Sequence, residues 1–335
     1  MKIWRYSAKD AFMPLLSMAQ LTAMVLMAMK WEHMPLAGRV GCLALLIFMM
    51  TYNIIVITHL FTHTPWFQEQ TMNSVASMLN SINIGQSAEA YKLMHVRNHH
   101  RYNNDQPGPN GDTNDLSSTY REGVNGEHAT LGRYAFGGAG SSLVDIGRAL
   151  LSVNRLWRVG ETEHELLGVA AKSPAKRASE LRQIQLDRMA QFAGVAVFFV
   201  LSWKWMLFCY VPAFYIVLAL VNIQNYYEHY GATPESRYAD SVSYYGRLYN
   251  LLTFNDGYHQ EHHLRPQAHW STVPRVRSEH RDALNQVQRV VSPVPAIVGY
   301  LHRNRPKLHQ HPLTPADLQN YKEKQSGLAA TGNDR

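Results

Sequence analysis

Four stretches of this 335-residue chain run almost without charge for longer than a soluble core requires, and no other feature limits the fold so strongly. A bilayer core takes about 20 apolar residues per helix. Residues 11–29, 40–61, 189–203 and 205–225 meet or approach that length, and the second contains CLALLIFMM. The last two are short, with Trp203-Lys204-Trp205 as the turn between them and Pro212 inside the fourth. One long tilted span is the alternative for that pair. Mean hydropathy is −0.26, which points to a soluble protein until the distribution is considered. Charged residues are only 17% of the chain and are crowded outside these windows, while 14 Met, 7 Trp and 18 Tyr suit spans with interfacial aromatics.

Four spans, arranged as two hairpins, put both termini on one side. Lys2, Arg5 and Lys9 precede the first span, and the arginine-rich stretches 97–188 and 237–306 fall on that same side. The positive-inside rule makes it cytoplasmic (the inner membrane, in a bacterium) and leaves only the turns near Lys30–Arg39 and at Lys204 opposite. The basic opening of the chain also resembles a signal peptide, but no small-x-small cleavage site follows it, so it reads as a retained anchor. A net charge of +7 is compatible with nucleic acid or an anionic membrane surface. No nucleic-acid recognition module is visible, so no nucleic-acid partner is expected. Cys42 and Cys209 lie in apolar windows and outside any CxxC pair, against a disulfide framework, a thiolate zinc site, a rubredoxin or an iron–sulfur cluster.

The polar segments, about 64–188 and 230–335, are expected on the cytoplasmic side. Residues 72–82 are mildly apolar and are expected along the membrane surface; 103–115 (NNDQPGPNGDTND) is loop by composition. Residues 142–158 carry Leu143, Ile146, Leu150 and Val153 on one helical face, and 161–188 is charged and helical. The expected fold is an all-α integral membrane protein, a single domain over 1–335, with four transmembrane helices as two hairpins and a cytoplasmic helical cap.

Histidine is the other constraint. The chain holds 17, and nine fall in four clusters: His59 and His63 in THLFTH; His95, His99 and His100 in HVRNHH; His229, four after Asn225, in NYYEHYG; and His259, His262 and His263 in HQEHH. Residues three or four apart share a helical face. Two clusters end spans two and four, and the others sit in the polar segments that follow each hairpin, so all four can meet at one membrane face. Ionisable groups at that boundary are functional candidates. The remaining eight histidines read as structural or solvated, His302, His309 and His311 in the polar tail as surface residues, with His269 a candidate neighbour of the last cluster.

Nine imidazoles exceed what one metal takes and point to two. Imidazole suits iron, copper and zinc. Each ligand needs a partner for its second ring nitrogen, and Glu228, Glu261, Asp256, Asn53, Asn98 and Asn255 lie near enough in sequence to serve. A zinc-dependent membrane hydrolase would need only three protein ligands. A metal transporter would spread its ligands through the membrane instead of gathering them at one end.

The pattern resembles the integral-membrane fatty acid desaturase and hydroxylase superfamily. Its boxes HxxxH, HxxxHH and HxxHH stand here as His59/His63, His95/His99/His100 and His259/His262/His263. Its NxxxH element stands as Asn225/His229, and NYYEHYG is similar to the phrase of membrane alkane hydroxylases and related desaturases. The resemblance covers about residues 50–275. It implies a di-iron centre ligated by those nine histidines, with Asn225 bound directly or through water. It also implies O2 as co-substrate and attack on an unactivated C–H bond of a fatty acyl or alkyl lipid. Electrons would come from an external donor of ferredoxin, rubredoxin or cytochrome b5 type. Basic residues such as Arg97, Arg101, Arg265, Arg275 and Arg277 suit docking of an acidic donor, and equally suit binding of lipid phosphate or an acidic carrier, or simply mark the positive-inside side. Desaturation is the expected outcome; hydroxylation and decarboxylation to a terminal alkene are alternatives within the superfamily. Tyr52, Phe61, Phe214 and Tyr215 are candidates for the lipid slot. The insert of roughly 80 residues between the second box and the third span departs from the pattern.

Overall fold

A computed structural model of the chain describes residues 2–151, 165–167, 173–311, 315 and 319. Among the described residues there is no β-strand; backbone bridging is limited to Trp4 with Phe67 and Ser243 with Val291. The chain forms two compact units, each built from two stretches: residues 1–93 with 138–221, and residues 94–137 with 222–335.

The first unit holds the long apolar helices. These are α1 (Ala8–His33), α2 (Leu36–His63), α6 (Pro174–Leu201) and α7 (Trp203–His229), whose last turns belong to the second unit. At 1.5 Å per residue each exceeds the roughly 30 Å of a hydrocarbon core. Ser7 starts α1 through a capping box: its hydroxyl accepts from Lys9 N at 3.2 Å, and the Asp10 carboxylate accepts from Ser7 N at 3.2 Å. Between α2 and α6 lie α3 (Gln70–Ile84), α4 (Ala88–Lys92) and α5 (Gly138–Leu151). The expected amphipathic stretch 142–158 is helical through Leu151, and residues 152–158 lie outside the described residues.

Two boundaries differ from expectation. The charged segment from Pro174 and the apolar segment after 188 form one continuous helix, because 174–188 carries no breaker. The turn between α6 and α7 is at Ser202, and Trp203-Lys204-Trp205 forms the first turn of α7. Ser202 sits in extended conformation and accepts from Trp205 N at 3.1 Å. Two helices, not one tilted span, result. Pro212 does not break α7: a π-helical turn, Met206–Tyr210, precedes it and accommodates the missing N–H.

The packing of this unit is the reverse of a soluble core. Outer faces expose large apolar side chains, with Val200 84%, Leu36 78% and Phe48 64% exposed, the condition of lipid-facing helices. Polar side chains are inside. Ser17 donates to Asn80 Oδ1 at 2.8 Å, Gln20 to Asn83 O at 3.0 Å, and Asn53 to Gln20 Oε1 at 2.8 Å. All of these are buried, where an unmade hydrogen bond is costly. Asp187 of α6 binds α3 and α4 together, accepting from Ser77 Oγ (3.0 Å), Ser87 Oγ (3.0 Å) and Glu89 N (2.9 Å). Residues 72–82 therefore form a helix packed on α1 and α6 through buried Asn and Ser side chains. Gly85 ends α3 at φ +71°, and a Cβ there would lie 2.8 Å from both the Tyr210 hydroxyl and the Phe214 ring.

The second unit is made of short helices and ordered loops. They include α8 (Arg247–Leu252), α9 (His259–Leu264), α10 (Val273–Glu279) and α11 (Arg281–Gln286). Tyr238, Leu264, Val276, Leu284 and Val287 pack α9 against α10 and α11, each contributing roughly 1.5–3 kcal/mol on full burial. Ala232, Val242, Val290 and Leu308 form a second cluster that seats residues 305–310. Leu308 N donates to Gly231 O at 2.8 Å, and Lys307 pairs with Glu127 at 3.0 Å.

Candidate metal centre

The clustered histidines stand at helix ends whose local geometry is not uniformly α. In the first unit His59 and His63 form the last turn of α2, directly after a π-helical stretch, Asn53–Thr58. Their ring centroids are 5.2 Å apart, and both are buried. The Nδ1 of His59 lies 3.2 Å from the Ile55 carbonyl, so Nε2 is the atom it can offer a metal.

In the second unit the other seven clustered histidines resolve into two groups. His99, His229, His259 and His263 each bring one nitrogen within 4.8 Å of the rest. The Nε2 atoms of His99 and His229 are 3.1 Å apart, and those of His229 and His259 are 3.4 Å apart. His95, His100 and His262 form the other group, with His100 Nε2 at 3.1 Å from His95 Nε2 and 3.0 Å from His262 Nε2. The division cuts across the sequence boxes. HVRNHH supplies His99 to one group and His95 and His100 to the other; HQEHH supplies His259 and His263 to one and His262 to the other. For HVRNHH the π-helical turn Leu93–His99 accounts for the split, because bonding from i to i+5 widens the turn and re-aims residues four and five apart; HQEHH divides within an α-helix.

The four-histidine group passes a chemical test for a cation. Three rings are hydrogen-bonded through Nδ1, His99 to Asp115 Oδ2 (2.8 Å), His229 to the Asp240 carbonyl (3.1 Å) and His263 to Asn103 Oδ1 (3.0 Å), while His259 Nδ1 lies 3.5 Å from Glu228 Oε1, an ion-pair distance longer than a hydrogen bond. Acceptors on that side fix the proton on Nδ1 and turn the Nε2 lone pairs inward. Four lone pairs within one buried space repel one another unless a cation lies among them. Nitrogens held about 2.0–2.1 Å from one ion are spaced ~3–4 Å apart, and the His99–His229 and His229–His259 separations of 3.1 and 3.4 Å fall in that range. Burial and the neighbouring histidines His100, His259, His229 and His99 push His263 well below the ordinary histidine range, so the ring is neutral, as a ligand must be. Burial raises the Asp115 carboxyl, but the attraction of His99 and hydrogen bonds from His99 and Ser117 outweigh it and hold the group below the usual carboxylate range.

Of the six orienting partners expected from sequence, Glu228 faces a clustered histidine. Glu261 accepts from Ser243 (2.9 Å) and Tyr245 (2.6 Å); Asp256 accepts from Tyr249 (2.8 Å). Asn53 bonds Gln20 and Thr58, Asn98 pins Asn114 and Leu116, and Asn255 holds the Trp270 carbonyl. The partners that sequence reasoning missed, Asp115 and Asn103, lie in the segment read only as loop. That loop is ordered by its carboxylates: Asp105 accepts from Asn114 N and Asp115 N, and Asp115 accepts from Asn104 N at 2.7 Å. Asn103 and Asn104 are both left-handed, at φ 49° and 62°, a conformation asparagine tolerates. An Asn-Asn pair directly after the second box was the available signal.

Asn225 donates from its amide nitrogen to Ser117 O (3.2 Å) and to the Tyr134 hydroxyl (2.5 Å), so its Oδ1 is the atom it can offer a metal or a bound water. His269 meets Ser271 Oγ at 2.8 Å. The expectation that His309 is a surface residue is corrected: its side chain is 1% exposed, between Tyr120 and His128. Among the slot candidates, Phe61 packs on Trp66, Tyr52 on Phe48, and Phe214 lies in the core against Tyr210, with Tyr215 packed on that core.

The sequence pattern of the fatty acid desaturase family matches residues 35–294, most of the chain and every clustered histidine. The chain belongs to the fatty acid desaturase family. Its four apolar helices are those of a membrane protein. Among curated relatives it is similar to the sphingolipid delta(4)-desaturase of Komagataella phaffii, 37% identical over 82 residues, and to that of Candida albicans, 48% identical over 52 residues. These matches cover 22% and 15% of this desaturase-family chain, and 22% and 14% of the relatives' own length.

Proposed function

We propose that this protein is a membrane-bound di-iron oxidoreductase that introduces a double bond into a long-chain lipid, using O2 and electrons from an external donor. The observation that carries the reading is the buried four-imidazole group, three of whose Nδ1 atoms are hydrogen-bonded to acceptors. In this proposal His99, His229, His259 and His263 hold one iron, and His95, His100 and His262 belong to a second. His59, His63 and Asn225 are further ligands of the same centre, as the order of the family's boxes implies. When bound, two irons supply the redox chemistry that lets O2 remove hydrogen from an unactivated methylene.

The chain's own residues supply rigidity and protonation state. Asp115, Asn103 and the Asp240 carbonyl hold the imidazoles neutral and correctly turned, so the centre needs no rearrangement to bind metal. Tyr134 and Ser117 hold the Asn225 amide by its nitrogen. The termini and the metal centre are proposed to be cytoplasmic, on the basic-residue asymmetry. Spans one with two, and three with four, are proposed as hairpins, and the polar segments, about 64–188 and 230–335, as the cytoplasmic cap of a single functional domain. The names of the relatives support a sphingoid or other long-chain acyl substrate.

The test is expression of the chain in cells lacking such desaturases, with mass spectrometry of total lipids and metal analysis of the purified protein. About two irons per chain and lipids lighter by two hydrogens are expected, both lost in His99→Ala and His263→Ala. A product heavier by one oxygen would mark a hydroxylase, and a chain shortened by its carboxyl carbon a decarboxylase. One zinc per chain with no O2 consumption would end the oxidase reading.

A further inference from the structure

The second unit carries a hollow of about 420 Å³ lined by Arg277, Arg281, Arg289, Tyr258, Ser278 and Asn285. Three arginines line it, and no carboxylate is among its lining residues. Glu279, close by on α10, is engaged with Arg275 at 2.8 Å. Arginine is a weakly hydrated, permanent cation whose planar fork matches carboxylates, and three on one concave surface form a receptor for an anion.

What singles this hollow out is its connection inward. Arg277 lies 3.6 Å over the Tyr245 ring, and Arg289 donates to the Tyr245 hydroxyl at 2.9 Å. That hydroxyl donates to Glu261 Oε1 at 2.6 Å, and Glu261 is buried on α9 between His259 and His262. Tyr258, on the wall of the hollow, packs against Tyr245 with ring centroids 5.1 Å apart and is followed by His259 in the chain. The surface is thus joined to His259 by the Tyr258 peptide bond, and to the stretch of α9 between His259 and His262 by the Tyr245–Glu261 hydrogen bond. A site built only to hold an anionic lipid head group has no need of such a link.

We infer that this arginine hollow is where an acidic electron-carrier protein docks, its surface carboxylates received by Arg277, Arg281 and Arg289. The inference rests on the desaturase reading. Per turnover, R–CH2–CH2–R′ and O2 take up two electrons and two protons to give R–CH=CH–R′ and two waters. The carrier is oxidised twice by one electron, and the protons come from solvent.

The test uses the full-length, iron-loaded protein in nanodiscs with its lipid substrate and O2, and reduced soluble cytochrome b5 as donor, followed by its haem absorbance. Arg281 is the residue to change, since it is exposed and makes no hydrogen bond or ion pair among the described residues. Arg281→Glu raises the KM for cytochrome b5 about tenfold and flattens the salt dependence of kcat/KM. Arg281→Lys stays near wild type, and Arg303→Glu, a reversal at an exposed arginine outside the hollow, leaves KM unmoved. With dithionite and a small mediator as reductant, Arg281→Glu matches wild type. An unchanged KM in Arg281→Glu overturns the docking site, as does an equal loss with the small mediator. Absence of product from wild type with either reductant would instead end the desaturase reading, and the docking site with it.

Discussion

Replacing Asp115 by asparagine tests the metal centre at a residue that is not itself a ligand. The carboxylate is fully buried and accepts four hydrogen bonds. Oδ2 takes His99 Nδ1 (2.8 Å) and Asn104 N (2.7 Å); Oδ1 takes Ser117 N and Ser117 Oγ, both at 2.8 Å. An amide of the same shape keeps one accepting oxygen and turns an NH2 toward two donors. Facing His99 and Asn104, it meets two N–H groups; facing Ser117, the hydroxyl can rotate but the backbone N–H cannot. The imidazole then loses a charge-assisted bond worth about 1.5–3 kcal/mol and, with it, the reason to keep its proton on Nδ1. Loss of such a partner weakens metal binding about 10–100-fold, or ~1.4–2.8 kcal/mol, so the two figures agree. The assay is anaerobic Fe(II) titration of apo wild type and Asp115→Asn in the same detergent against a chromophoric chelator, with circular dichroism alongside. Weaker iron binding with unchanged helix content is expected. Affinity within about twofold of wild type would refute the argument that Nδ1 partners organise this site.

Two further tests address the frame around the centre. His128 receives the Gly231 N–H on Nε2 (3.1 Å) and donates from Nδ1 to Thr119 (2.7 Å), and burial, then His309, push its pKa down to about 2. The folded-state value lies below the unfolded 6.5, so the unfolded chain binds more protons. The stability His128 contributes is therefore complete above pH 6.5 and is lost toward pH 2, by up to about 1.4 kcal/mol per pH unit. Acid titration of near-ultraviolet circular dichroism should show this slope, and His128→Gln should flatten it. Gly85→Ala places a Cβ 2.8 Å from Tyr210 and Phe214 at φ +71°. It should cost upward of about 1–2 kcal/mol and lower the melting temperature in detergent, whereas Gly41→Ala, with open space around it, should not.

Hydropathy alone determined that this chain is helical and membrane-embedded, because a run of apolar residues long enough to cross a bilayer has few other stable fates. Histidine spacing alone picked out the clustered residues, since imidazole is rarely gathered this way without a metal. The sequence did not reveal which histidines share a group. Helical spacing assumes α geometry, while HVRNHH lies in a π-turn that sends His99 one way and His95 and His100 the other. Nor did it reveal the partners of the second ring nitrogens. Nearness in sequence favoured Glu261 and Asn98, but Asp115 reaches His99 from sixteen residues away because a loop pinned by Asp105 folds back. Composition sees such a loop only as Gly, Pro and Asn. Periodicity reports which face a residue takes on its own helix; which atoms meet across elements is decided by how the chain folds back, and that belongs to the tertiary structure.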